Sequence, residues 1–284
     1  MKKFAVDTLR LLYRPRRDSS GEDNGQVAVI GGSRLFHGAP FFAIQAASRV
    51  VDMVFFASPE KTLGDVVANL KSRLFSFIWV PWVEVEDYIK KSDALLIGPG
   101  FMRARSEKAN SKPDNQSDAA FKLSRKITKK LLSKYPNKKW VIDAGGLQVM
   151  EPAWIPPKAI LTPNRKEYKM LFGDLNPYHV SKKYDCILVL KGPISCVYSK
   201  SECVEVHGGN PGMTKGGTGD VMAGLTVALL AKNEPFLAAS AAAFITKAAA
   251  EALCQRQGFY YNADDLAEEV PKVFHKLINR KFMT

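Results

Sequence analysis

Cysteine is scarce in this chain. Its four cysteines, Cys186, Cys196, Cys203 and Cys254, include no Cys-x-x-Cys unit. That spacing argues against a zinc site or a disulfide framework, and for buried free thiols in a reducing, cytoplasmic setting. No apolar run reads as long enough to span a bilayer. The opening residues, MKKFAVDTLRLLYRPRR, lack both a continuous apolar stretch and a small-residue cleavage site. They read as a fraying basic extension over residues 1–24 rather than a signal peptide. No Gly-Lys-Ser/Thr follows any glycine-rich loop, which excludes a Walker A motif. Acidic residues are also short, at 28 against 41 Lys and Arg, for a net charge of +13. The basic residues are scattered, however, and KLSRKITKKLLSKYPNKK reads as the wet face of one helix. A nucleic-acid partner is therefore not expected. The positive balance suits a phosphate-rich small molecule instead.

What is present is a recurring strand-turn-helix unit. QVAVIGG runs as a strand into a glycine turn, APFFAIQAASRV reads as a helix, and DMVFFAS as the next strand. DALLIGPG follows, then a lysine-rich helix from about Ser117 to Lys134, then KWVIDAGGL, KAILTPN and CILVLKG. Near-continuous apolar strands of this kind belong to a parallel sheet covered on both faces. GPISCVYS and SECVEVHGG read as two short antiparallel strands. The expected fold is a three-layer α/β/α domain over residues 25–284, with a mainly parallel central sheet. The polar stretch RSEKANSKPDNQSD reads as a surface loop within it, and the last helix spans about Asp265 to Leu277, limited or kinked by Pro271. Each core strand ends in glycine or polar residues, at the carboxyl edge where open α/β sheets bind ligands.

The stretch NPGMTKGGTGDVMAG, residues 210–224, packs its glycines around one carboxylate, Asp220, and runs into apolar helix. A helix start offers unpaired N–H groups and positive dipole charge, so Gly-Gly-Thr-Gly there forms a phosphate seat from backbone alone. The plain alternative is an Asp or Thr N-cap after a glycine turn. The same dipole is expected to hold the Asp220 carboxyl low and ionised.

Six motifs in order, GGSRLFHGAP, GPG, VIDAGGL, LTPNRKE, VLKG and NPGMTKGGTGDVMAG, resemble the NAD(P)H-hydrate dehydratase family of the ribokinase-like superfamily. The resemblance implies a nucleotide-dependent, ADP-favouring dehydration of NADH and NADPH hydrated at C6 of the nicotinamide ring. Phosphorylation makes the hydroxyl a good leaving group, and elimination then restores the ring. It implies Asp220 as the base, facing both acceptor and phosphate. The nucleotide would lie along Lys191, Gly192, Pro193, Ile194 and Ser195, with Asn210 and the backbone of Gly217, Thr218 and Gly219 around the phosphate. Ala39, Gly100, Asp143 and Asn164 would border the substrate. Glu167 would meet Mg²⁺ through water. It further implies a homo-oligomer, often a tetramer, for which the Ala-rich helices and the exposed-looking Trp79 and Trp82 would supply surface. A separate epimerase would be the pathway partner, since few residues precede the first strand.

Three departures fall on the substrate side. The family commonly reads DADAL, TPHxGE and GPGLG where this chain has DAGGL, TPNRKE and GPGFM. Asn164 thus stands for a histidine and Met102 for a glycine, and Asn cannot act as an acid. Two other activities stay open at this point. One is a kinase of the same superfamily that keeps its phosphorylated product. The other is a nucleotide-binding regulator without turnover.

Overall fold

The computed structural model describes residues 1–70, 76–103 and 115–279. Ten strands form one sheet: β1 (Lys2–Lys3), β2 (Gln26–Ile30), β3 (Met53–Ala57), β4 (Ile78–Trp79), β5 (Ala94–Ile97), β6 (Lys139–Ile142), β7 (Ile160–Leu161), β8 (Ile187–Leu190), β9 (Ser195–Tyr198) and β10 (Cys203–Val206). Their spatial order is β1-β10-β9-β8-β7-β6-β5-β2-β3-β4. From β4 to β8 all pairings are parallel, and β9 and β10 join as antiparallel strands.

The strands' period of two builds the layers. Val27, Val29, Phe56, Leu96 and Val141 face one side. Ala28, Ile30, Phe55, Leu95, Ile97, Trp140 and Ile142 face the other. Both sets are buried, so both faces need cover. The first is covered by α1 (Gly38–Ala47), α2 (Leu63–Leu70), α8 (Thr218–Lys232), α9 (Pro235–Gln257) and α10 (Ala263–Ile278). The second is covered by α3 (Val85–Lys91), α4 (Asn115–Lys134), α5 (Gly145–Val149), α6 (Arg165–Phe172) and α7 (Pro177–Lys183). Each fully buried Val, Leu or Ile contributes roughly 1.5–3 kcal/mol. Trp140 is completely buried because its indole N–H also finds a partner, the Tyr135 carbonyl at 2.9 Å. The three-layer, mainly parallel architecture agrees with the strand-turn-helix pattern.

Four local expectations need correction. The first residues do not fray: β1 pairs with β10, and Leu9 and Leu12 are buried in the core. α9 is long and apolar enough to cross a membrane by length and composition, contrary to the reading that no run is. In the fold, 67% of that apolar stretch is buried. Trp79 and Trp82 are half-buried rather than exposed, and Trp79 packs edge-on against Phe56 at 5.3 Å. α10 starts two residues early, where Asn262 and Asp265 form a capping box, and it runs through Pro271. Most of the polar stretch after Arg103 lies outside the described residues.

Candidate active site

The loops that leave β2, β5, β6, β7 and β8 gather at the carboxyl edge of the sheet, and α8 begins there. The Gly32 N–H donates to the Pro99 carbonyl at 2.7 Å, locking the turn after β2 onto the Gly-Pro-Gly turn. Gly100 has φ +73°, and a Cβ on it would stand 2.3 Å from the Phe36 carbonyl and 3.2 Å from Pro40 Cδ. Gly100 is thus pressed against the start of α1, which brings it beside Ala39.

At the centre lies a charged cluster. The Asp143 side chain, ending β6, is 2% exposed; its Oδ1 accepts from Thr162 Oγ1 at 2.7 Å and from Lys191 Nζ at 2.8 Å. Lys191 ends β8 and reaches across to the start of α8: a Cβ on Gly219 would stand 3.4 Å from its Nζ. The ammonium thus ties the ends of β6 and β8 and lies against the glycine loop, while Thr162 adds the end of β7 through Asp143. Burial pushes Lys191 down, but the Asp143 and Glu167 carboxylates outweigh this and hold it above its ordinary value.

Asp220 stands in the first turn of α8, and its buried Oδ1 accepts no hydrogen bond from the described residues. The helix starts at Gly217, whose φ of +91° and tight contacts with Phe42 and Ala263 exclude a side chain. No side chain caps this helix, so the N-cap alternative for Asp220 or Thr218 does not hold. The expected low carboxyl is also overturned. Burial, reinforced by the Asp143 charge, raises Asp220 to about 8 against the opposing pull of Lys191. The backbone hydrogen bond at the helix start lowers it only as the weakest cause. A carboxyl tuned this way is poised as a base near neutral pH.

The glycine loop is held from outside. Thr218 turns its hydroxyl back to the Met213 and Lys215 carbonyls (2.6 and 2.8 Å), and its N–H points to Lys215 O at 3.4 Å. Asn210 commits both polar ends within the protein. Its Oδ1 accepts from Gly212 N (3.0 Å) and from Tyr261 Oη (2.8 Å), and its Nδ2 donates to Ala250 O at 2.8 Å. Lys215 donates to the Phe259 and Tyr261 carbonyls. Asn210 and Thr218 therefore place the loop. Pro193 and Ile194 form the exposed turn between β8 and β9, where Ser195 Oγ donates to Gly192 O at 3.3 Å.

Asn164 and Glu167 act as one unit. Asn164 caps α6, taking the Glu167 N–H on Oδ1 at 2.9 Å, while Glu167 Oε2 accepts the Asn164 N–H at 2.9 Å. Gln148 Nε2 donates to Glu167 Oε1 at 3.1 Å. Burial raises the Glu167 carboxyl, with Lys191 opposing and Asp143 adding. Among the described residues no group of three His, Cys, Asp or Glu side chains could hold a metal ion. The described residues thus offer no ready-made protein cage for a divalent cation.

Two of the three departures touch each other. A Cβ on Gly145 would stand 2.4 Å from the Phe101 carbonyl and 2.7 Å from Phe101 Cβ. The glycine of DAGGL thus accepts the backbone of GPGFM, so the two changes adjoin. Sequence reasoning overlooked Gln148, Lys215, Tyr261 and Lys247, and marked Thr162 only as a polar strand end. Only Lys247, a charge set among alanines in a helix that also carries Glu251 and Arg256, had a visible signal.

The profile of the family described as NAD(P)H-hydrate dehydratase matches residues 27–272. The chain belongs to that family. It is 32% identical over 268 residues to the bifunctional NAD(P)H-hydrate repair enzyme Nnr of Methanocaldococcus jannaschii, covering 91% of this chain and 50% of that protein. The chain thus spans about half the length of such relatives. It is 30% identical to the ADP-dependent (S)-NAD(P)H-hydrate dehydratase of Nitrosopumilus maritimus, over 96% of each. A ribokinase-like superfamily protein of Enterococcus faecalis superposes with TM-score 0.80 at 22% identity, covering 98% of this chain and 97% of that one. The ADP/ATP-dependent NAD(P)H-hydrate dehydratase of Bacillus subtilis, co-crystallized with ATP/Mg²⁺, superposes with TM-score 0.74 at 20% identity, covering 97% and 98%. At these identities the structural likeness shows the fold alone, and that fold is ribokinase-like.

Proposed function

We propose that the chain dehydrates the S epimer of hydrated NADH and NADPH at the expense of ADP, releasing AMP and phosphate. One observation carries this reading. A buried, unpaired carboxylate oxygen of Asp220 stands at a helix start beside Lys191, in a member of this family. Asp220 takes the proton from the C6 hydroxyl as its oxygen bonds to the terminal phosphorus of ADP and AMP departs. The backbone of Gly217 and Gly219, with the Lys191 ammonium, stabilises the charge on the moving phosphoryl group. The C6–O bond then breaks, phosphate leaves with the electron pair, and a proton lost from C5 restores the ring double bond.

The turn from Gly192 to Ser195 carries the nucleotide, and Asn210 and Thr218 hold the glycine loop in register for it. Ala39, Gly100, Asp143 and Asn164 border the dinucleotide. Mg²⁺, held mainly by phosphate oxygens and meeting Glu167 through water, would neutralise phosphate charge. Residues 25–284 form the catalytic domain, acting in the cytoplasm. A homo-oligomer rests on the family resemblance, since α9 buries its alanines inside the fold.

The test is incubation of hydrated NADH with ADP or ATP and Mg²⁺. Recovery of reduced-nicotinamide absorbance, faster with ADP, is expected. A stable phosphoester would mark a kinase instead. Nucleotide binding without turnover would mark a regulator.

A further inference from the structure

Within α9, a helix of buried alanines, one charge is buried too. Lys247 is 5% exposed. The acid one turn away, Glu251, accepts the Gly209 N–H at 3.2 Å, and Lys247 forms no ion pair among the described residues. Its ammonium donates instead to three main-chain carbonyls, Gly192 O (3.1 Å), Pro193 O (2.6 Å) and Gly208 O (2.8 Å). Three donors is the full complement of a lysine. Burial holds Lys247 below the ordinary lysine range, with Glu251 opposing.

The three carbonyls belong to two segments remote in sequence. Gly192 and Pro193 lie in the turn assigned to the nucleotide, and Gly208 leads into Asn210 and the glycine loop. We propose that Lys247 is a positioning residue that sets the nucleotide-binding turn against the phosphate loop; this rests on the nucleotide role proposed above. A trans peptide points its C=O and N–H in opposite directions. Holding the Pro193 carbonyl toward α9 therefore turns the Ile194 N–H to the opposite side of the turn. The anchoring is unequal. Without Lys247, residues 208–210 still keep Asn210 Nδ2 on Ala250 O and Gly209 N on Glu251. The Gly192–Pro193 turn loses its tie to α9. The effect should thus fall on nucleotide affinity rather than on the chemical step.

Calorimetric titration with ADP and steady-state kinetics of Lys247→Met, Lys247→Arg and the unaltered protein test this. Lys247→Met should raise the ADP Kd and KM about tenfold or more, because buried acceptors lose their donor. Its kcat should stay within about threefold. Lys247→Arg, which keeps a cationic donor, should recover part of the affinity. If Lys247→Met does not fold, Lys247→Gln should show an intermediate loss. A folded Met or Gln variant that binds ADP like the unaltered protein overturns the role of Lys247. No ADP binding by the unaltered protein overturns the nucleotide reading itself, and this inference with it.

Discussion

The two halves of the site are built differently. The half proposed to hold phosphate, from Lys191 to Asp220, is made of backbone and of side chains tied back to backbone: Thr218 to Met213 and Lys215, Asn210 to Gly212 and Ala250, Lys247 to Gly192, Pro193 and Gly208. The half proposed for the acceptor is a set of turns that fit by missing bulk, with Gly100 against Phe36 and Gly145 against Phe101. Bonded backbone tolerates little change, because each displaced carbonyl or amide becomes a buried unsatisfied group. A wall fitted by van der Waals contact can be recarved by paired substitutions. The DAGGL and GPGFM departures lie in such a wall, consistent with this difference, whereas Asn164 of the third is a bonded helix cap.

Asp220→Asn is the strongest probe of the contrast. Asn is nearly isosteric, and no side-chain cap is lost, so ADP binding should change little while kcat falls about 10²- to 10⁴-fold. Near-full turnover at saturating substrate would dismiss Asp220 as the base. Its pH dependence follows from the raised carboxyl. The base must be ionised, so kcat/KM of the unaltered protein should climb with pH up to about 8. The proton held by native Asp220 stabilises the fold fully below the ordinary carboxyl value of 3.8, and that stabilisation is lost as pH rises to about 8. Asp220→Asn escapes the loss, so its melting temperature should gain on the unaltered protein across that window. A constant difference across pH would refute the burial of this charge.

Lys191→Met comes next in size. It leaves the Asp143 carboxylate buried without its cation, a change costing about 3–5 kcal/mol in denaturant unfolding. It should weaken ADP binding as well. Adding Asp143→Asn should restore part of the stability but not the affinity for ADP. Recovery of both would reduce Lys191 to a structural counter-ion and move the phosphate contact elsewhere.

Gly145→Asp restores the common family carboxylate and probes the acceptor half. Its Cβ meets the Phe101 backbone, so a urea midpoint corresponding to a loss of roughly 1–3 kcal/mol is expected. KM for the hydrated dinucleotide should shift while KM for ADP holds. A change in ADP KM alone would break the division of the site into two halves.

Much of this was readable in advance. β2, β5, β6, β7 and β8 stood out as apolar runs ending in glycine or polar residues, and the glycine loop marked the start of α8 to within Thr218–Asp220. The N-terminal segment was misjudged because its short apolar patches, centred on Leu9 and Leu12, become stable only against helices from the other end of the chain. Asn164 and Glu167 were read as ligand contacts, and local geometry makes them first a capping box. Thr162 showed only as a polar strand end and Gln148 not at all, since their partners lie about twenty residues away on other elements.

Local order therefore belonged to the sequence by itself. Strand periodicity, glycine placement and helix starts depend on backbone conformation and on neighbours a few residues apart, and those are written in the chain. The electrostatics of the site belonged to the tertiary structure alone. A helix start by itself predicts a low, ionised Asp220. Only the fold buries that carboxyl and sets the Asp143 charge near it, and burial in a low-dielectric interior outweighs the dipole of one helical turn.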